Sequence, residues 1–111
     1  MNEISKYISL KQYVPIGTPE ISNFELKSKE IKIENTDEVM VLNQFISVDP
    51  YMRARMTEKK NYKEPFKIGK AMDGLAIGKV IQTNSNNFNL GDIVSSNFGW
   101  RDKYATSEKN I

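Results

Sequence analysis

The sequence predicts a mainly β domain, a barrel or a sandwich, with one short helix. Two observations carry that reading. Six or so candidate strands recur at intervals of about 8 to 12 residues, separated by turns, with room for one short helix. The 111 residues suffice for one core but not for a barrel plus a complete nucleotide-binding sheet, so a single domain over residues 1–111 is expected.

Along the chain, Ile4, Tyr7, Ile8, Leu10, Tyr13 and Val14 mark an opening strand. It ends where Pro15 and Pro19 fix φ and withdraw ladder donors. Residues 24–33 alternate imperfectly and slip phase once, which predicts a strand with a bulge. Residues 39–48 are almost continuously apolar and predict a buried central strand. Asp49 then suits an N-cap and Pro50 a first helical position, predicting a short helix over residues 50–56.

A polar loop follows over residues 57–66. Gly74 and Gly78 interrupt an apolar run, where glycine marks a bulge or a close backbone approach. Residues 84–87 and 89–92 read as turns, leading into strands over residues 93–98 and 100–107.

Composition excludes much chemistry. Cysteine and histidine are absent, which removes disulfides, thiolate nucleophiles, imidazole bases and Cys/His zinc sites. No segment has the spaced acids and glycine of a calcium loop, so no metal is expected. With 39% apolar and 27% charged residues the chain should fold as a soluble domain. No window approaches the roughly 18 to 20 apolar residues of a membrane span, and Glu3 and Lys6 stand where a signal peptide would be apolar. A cytoplasmic location and no membrane partner follow as expectations. Net charge is +2, and one biased stretch carries Arg53, Arg55, Lys59, Lys60, Lys63, Lys67 and Lys70 against only Glu58 and Glu64. A solvated loop explains it. Nucleic-acid binding would need interleaved aromatic residues, and only Tyr62 and Phe66 are offered.

Phosphate-binding motifs fail. Gly69 and Gly74 have P-loop separation, but Leu75 and Ala76 stand where Lys and Ser or Thr are required. The G-x-G-x-x-G spacing of a dinucleotide fold is also absent. On local physics the string Asp49-Pro50-Tyr51-Met52-Arg53 is a capped turn with Tyr51 and Met52 tucked into the core. A tyrosine on a pocket rim could instead donate its hydroxyl proton to a carbonyl oxygen. Phe88 and Trp100 read as core aromatics beside turns.

The order of motifs is nonetheless distinctive: residues 42–56 around Asp49-Pro50-Tyr51-Met52-Arg53, then Phe66 to Gly69, Gly74 to Val80, Phe88 to Val94, and Gly99-Trp100-Arg101. It resembles the amino-terminal domain of the zinc-free medium-chain dehydrogenase/reductases, in the prostaglandin reductase and alkenal double-bond reductase branch. The resemblance implies a GroES-like, partly open β-barrel that packs against a Rossmann domain lying outside this chain. It implies that NADPH in the complete enzyme delivers hydride to the β-carbon of an α,β-unsaturated aldehyde or ketone, with Tyr51 a substrate-wall hydroxyl and Leu75 an apolar wall. The family's catalytic tyrosine and cofactor-phosphate residues would lie beyond Ile111, so no catalytic residue is assigned here. This chain alone is expected neither to bind NADPH tightly nor to use zinc. Two departures stand out: Asp73 occupies a position often basic or amide in the family, and Leu75 one that is aromatic in some plant members. A self-standing GroES-like binding or assembly module, using the loop at residues 57–73, is the alternative. Neither the unsaturated carbonyl substrate nor the oligomeric state is fixed by the sequence, and a homodimer is allowed.

Overall fold

The computed structural model describes residues 2–59 and 63–111. Six strands and one short helix follow in the order β1 (Glu3–Leu10), β2 (Phe24–Ile31), β3 (Glu38–Ile46), α1 (Tyr51–Ala54), β4 (Ala76–Thr83), β5 (Ile93–Ser96) and β6 (Lys103–Ser107). The fold is mainly β, as expected, but the barrel is not closed. Its strands form two antiparallel sheets, β1-β2 and β5-β4-β3-β6.

β1 couples the two sheets. Its Ile8 amide donates to the Trp100 carbonyl (2.8 Å) and its Lys6 carbonyl accepts from the Asp102 amide (2.9 Å). Ser9 bridges to Ala71 and Tyr7 to Arg101. The outer strand β2 pairs with β1 in unbroken register from Leu10↔Phe24 to Glu3↔Ile31. The bulge expected there is therefore absent. β2 lies at an edge and is exposed on both faces over most of its length, so burial does not impose an alternation and the slip in pattern costs nothing. The register shifts occur instead between β3 and β4, at Met40/Val41 and Asn43/Phe45.

β3 is central, between β4 and β6, yet only Val39, Met40 and Val41 are fully buried. Phe45, Ile46 and Val48 are exposed, which corrects the expectation of a buried strand through residue 48. Gly78 permits the pairing beside β3, since a Cβ there would lie 2.5 Å from Val41 Cγ1 and 2.7 Å from the Leu42 carbonyl oxygen. α1 is shorter than the expected 50–56. Pro50, already helical in φ and ψ, occupies the cap position, and Asp49 makes no side-chain cap; it accepts instead from the Ser47 hydroxyl (2.8 Å).

The core has two parts. Leu10, Val14, Met52, Met56, Phe66 and Met72 form one, with Tyr51 and Trp100 packed against it. Val39, Val41, Val80 and Tyr104 form the other, flanked by Phe88 and Phe98. Both expected core aromatics thus pack where a structural role predicts. Lys60 and Tyr62 of the basic stretch lie outside the described residues. Arg53 and Arg55 are tied down by the Gly17 and Glu64 carbonyls. Among the described residues no helix is long and apolar enough to cross a membrane.

Tyr104 is buried beside Phe98, ring centroids 4.7 Å apart. Burial raises its pKa above the ordinary 10.0, with Ser96 and Arg101 pulling the other way. A raised folded pKa contributes stability that is present below pH 10 and lost as pH rises through the folded value. Denaturant midpoints measured on both sides of pH 10 should therefore fall less for Tyr104→Phe than for the parent. Equal alkaline losses would contradict this placement of the ring.

Candidate functional site

Four segments converge where β3 ends. The chain leaves β3 through Ser47 to Asp49, turns into α1, returns through Asp73, Gly74 and Leu75 into β4, and passes again at Phe98 to Trp100 after β5. The Ser47 amide donates to the Leu75 carbonyl (2.9 Å), the Gly74 amide to the Asn97 carbonyl (3.2 Å) and the Gly99 amide to the Gly74 carbonyl (2.9 Å).

The two glycines meet backbone to backbone. A Cβ on Gly99 would stand 2.8 Å from the Gly74 carbonyl oxygen and 3.1 Å from its carbon. A Cβ on Gly74 would meet Met52 Cε at 2.7 Å and Trp100 Nε1 at 3.5 Å. Trp100 follows with φ of 56°, a left-handed conformation that a tryptophan holds only where its surroundings enforce it.

The two residues singled out by resemblance lie on either side of this junction. Tyr51 opens α1, is half-buried against Leu10, Met52 and their neighbours, and carries Lys63 Nζ 4.7 Å from its ring centroid. Leu75 is 60% exposed. It lines an open groove of about 480 Å³ with Phe45, Ile46, Ser47, Ala76, Ile77 and Ser95. Tyr51 does not line that groove. Met52, which follows Tyr51, lies against Gly74, which precedes Leu75.

Phe45, Ile46 and Ile77 went unmarked in the sequence reading, where they passed for core. An apolar outer sheet face is the signal that a structure adds: β4 buries Ala76, Gly78 and Val80 and turns Ile77 outward, opposite Phe45. An ion cluster was also missed. Asp73 Oδ2 lies 3.2 Å from Arg55 Nη2, and its Oδ1 lies 3.9 Å from Arg101 Nη2. Burial lowers the Arg101 pKa, opposed by the nearby Asp73 and Tyr104.

The arrangement offers an apolar surface, a phenol and an ion cluster. Among the described residues no three Asp or Glu side chains gather in a way that could hold a metal ion. The four-residue α1 has no side-chain cap and no glycine-rich approach, so these residues do not fit the phosphates of a dinucleotide.

Known proteins resemble this chain over most of its length. The family described as the N-terminal domain of oxidoreductase matches residues 6–111. A 2-alkenal reductase (NADP(+)-dependent) of Nicotiana tabacum is 36% identical over 102 residues, covering 88% of this chain and 29% of that protein. An NADPH-dependent curcumin reductase of Escherichia coli is 33% identical over 88 residues, covering 79% of this chain and 26% of its own length. The crystal structure of CurA from Vibrio vulnificus superposes with a TM-score of 0.85 at 32% identity, covering 92% of this chain and 30% of that one. The same protein solved with NADPH gives 0.82 at 31% identity, covering 91% and 30%. The chain thus spans less than a third of the length of these relatives.

Because the Gly74–Gly99 contact is between backbones, relief requires the chain to move. Gly99→Ala should cost about 1–3 kcal/mol, read as a lowered urea midpoint. A midpoint within error of the parent would show that the two segments are not held in contact.

Proposed function

The chain belongs to the N-terminal oxidoreductase domains of the medium-chain dehydrogenase/reductase family, and from that premise we propose that it is the substrate-side domain of an NADPH-dependent reductase of α,β-unsaturated aldehydes or ketones. In this reading residues 1–111 make one domain and the complete protein adds a nucleotide-binding one. A cytoplasmic location and independence of zinc belong to the same proposal, the latter because the chain has no Cys or His.

The observation that carries the reading is the open apolar groove beside the Tyr51 turn, in a chain similar to reductases of alkenals and of curcumin. Exposed apolar side chains gathered on one sheet face mark a binding or packing surface. Phe45 (70% exposed), Leu75 (60%) and Ile77 (45%) form such a face. One part would be covered by the further domain and the part at Leu75 would remain as the wall of the cleft.

NADPH, when bound in the complete protein, supplies the hydride. What this chain contributes is position. Leu75 packs the alkyl chain of the substrate and keeps water from it. The Tyr51 hydroxyl donates to the carbonyl oxygen, drawing charge from the conjugated system and holding the negative charge that develops there.

The test uses the complete protein that carries these residues. NADPH absorbance should fall on addition of medium-chain 2-alkenals, without added metal. Tyr51→Phe should lower kcat/KM by the equivalent of one neutral hydrogen bond, about 0.5–1.5 kcal/mol, and leave NADPH affinity unchanged. Unaltered kinetics with a lower Tm would make Tyr51 a packing residue. No NADPH oxidation with any alkenal or enone would overturn the proposal and favour a self-standing binding module.

A further inference from the structure

Ser47 is bonded toward both residues read as the substrate wall. It lies one position past Ile46↔Ala76, the last pair of β3 and β4, and its amide donates to the Leu75 carbonyl (2.9 Å). Its hydroxyl donates forward along the chain to Asp49 Oδ1 (2.8 Å). One residue therefore holds the backbone that carries Leu75 and the residue that leads into the Tyr51 turn.

The turn needs such a tie. Four residues are too few for a helix to hold its own shape, so the orientation of α1 comes from what grips it at its ends. The far end is held by arginines: Arg53 Nη2 donates to the Gly17 carbonyl (2.9 Å) and Arg55 Nε to the Glu64 carbonyl (2.6 Å). Met52 is buried in the middle, but its flexible thioether chain fixes depth better than orientation. At the near end α1 has no side-chain cap, and Pro50 brings no amide to donate. Asp49 is fixed there through both of its acceptor groups, its carboxylate by the Ser47 hydroxyl and its carbonyl by the Met52 amide (3.1 Å). Between Asp49 and Tyr51 stands Pro50, whose ring locks φ, here at −56°. A shift of Asp49 is thus carried to Tyr51 with little slack.

We infer that Ser47 is a positioning residue for the Tyr51 hydroxyl. The inference rests on the reading of Tyr51 as the donor to the substrate carbonyl. Ser47 lines the groove, but its hydroxyl has one proton and Asp49 takes it, so its part is to hold the turn and not to donate to substrate. Without that hydroxyl the Asp49 carboxylate turns to water and the turn loosens at its start. The Tyr51 hydroxyl is then less often where a carbonyl oxygen needs it. Packing of the alkyl chain at Leu75 is unchanged, because the contact between Ser47 and Leu75 is made by their backbones.

The experiment measures kcat and KM of the complete protein for a 2-alkenal in a double-mutant cycle. Ser47→Ala should lower kcat/KM about two- to tenfold, up to the loss caused by Tyr51→Phe, chiefly in kcat, with NADPH affinity unchanged. In the Tyr51→Phe background the same substitution should change nothing further, because the turn then carries no hydroxyl to aim. Ser47→Thr, which keeps the hydroxyl, should retain the parent kinetics, and Asp49→Ala should repeat the loss from the other end of the bond. Equal losses in both backgrounds, or a Ser47→Ala protein as fast as the parent while Tyr51→Phe is slowed, would overturn the inference and leave Tyr51 in its role. A Tyr51→Phe protein as fast as the parent would overturn the reading of Tyr51, and this inference with it.

Discussion

The contact that organises the candidate site is between two backbones. Gly99 lies against Gly74 closely enough that neither a methyl group nor a water fits between them, and the Gly99 amide donates into the Gly74 carbonyl. That contact brings the segment after β5 against the entrance to β4. The entrance is in turn bonded to the exit of β3 through Ser47 and Leu75. Once these three segments are fixed, Met52 has a place beneath Gly74, α1 has an orientation, and Trp100 is held at a positive φ. Tyr51 and Leu75 inherit their positions from it.

The second consequence is an asymmetric sheet. β4 presents Ala76, Gly78 and Val80 to the core, and its outer face begins apolar at Leu75 and Ile77 and turns polar at Lys79. A sheet with one solvated face normally alternates apolar inside with polar outside. Here Leu75, Ile77 and Phe45 break the rule at the start of β4, and Ile93 of β5 breaks it again opposite Lys79. The relatives are more than three times as long as this chain. In the proposed function their remaining length supplies the cover, and the groove becomes a cleft.

Much of the fold was legible from residue pattern. Turn chemistry placed the breaks at Pro15 to Pro19 and at Asn89 to Asp92, where Gly91 has φ of 91°. Glycine within an apolar run foretold the close approach at Gly78. Pattern misled where two environments share one composition: the apolar run through Val48 reads the same whether Phe45 and Ile46 face a core or an open groove. Asp49 looked like a helix cap, but a turn of four residues starts from the helical φ and ψ of Pro50 and leaves Asp49 to Ser47. The Asp73 cluster could not be read, because its partners lie 18 and 28 positions away and are joined only by the fold. Tyr51 and Leu75 came from resemblance to a family. Local physics had put Tyr51 and Met52 together in the core, and only Met52 is fully buried there.

The most direct measurement is a crystal structure of the complete protein with NADPH and an unreactive enone. The account predicts the enone lying along Leu75, with its carbonyl oxygen within about 2.6–3.2 Å of the Tyr51 hydroxyl. An enone bound with neither side chain in contact would contradict it.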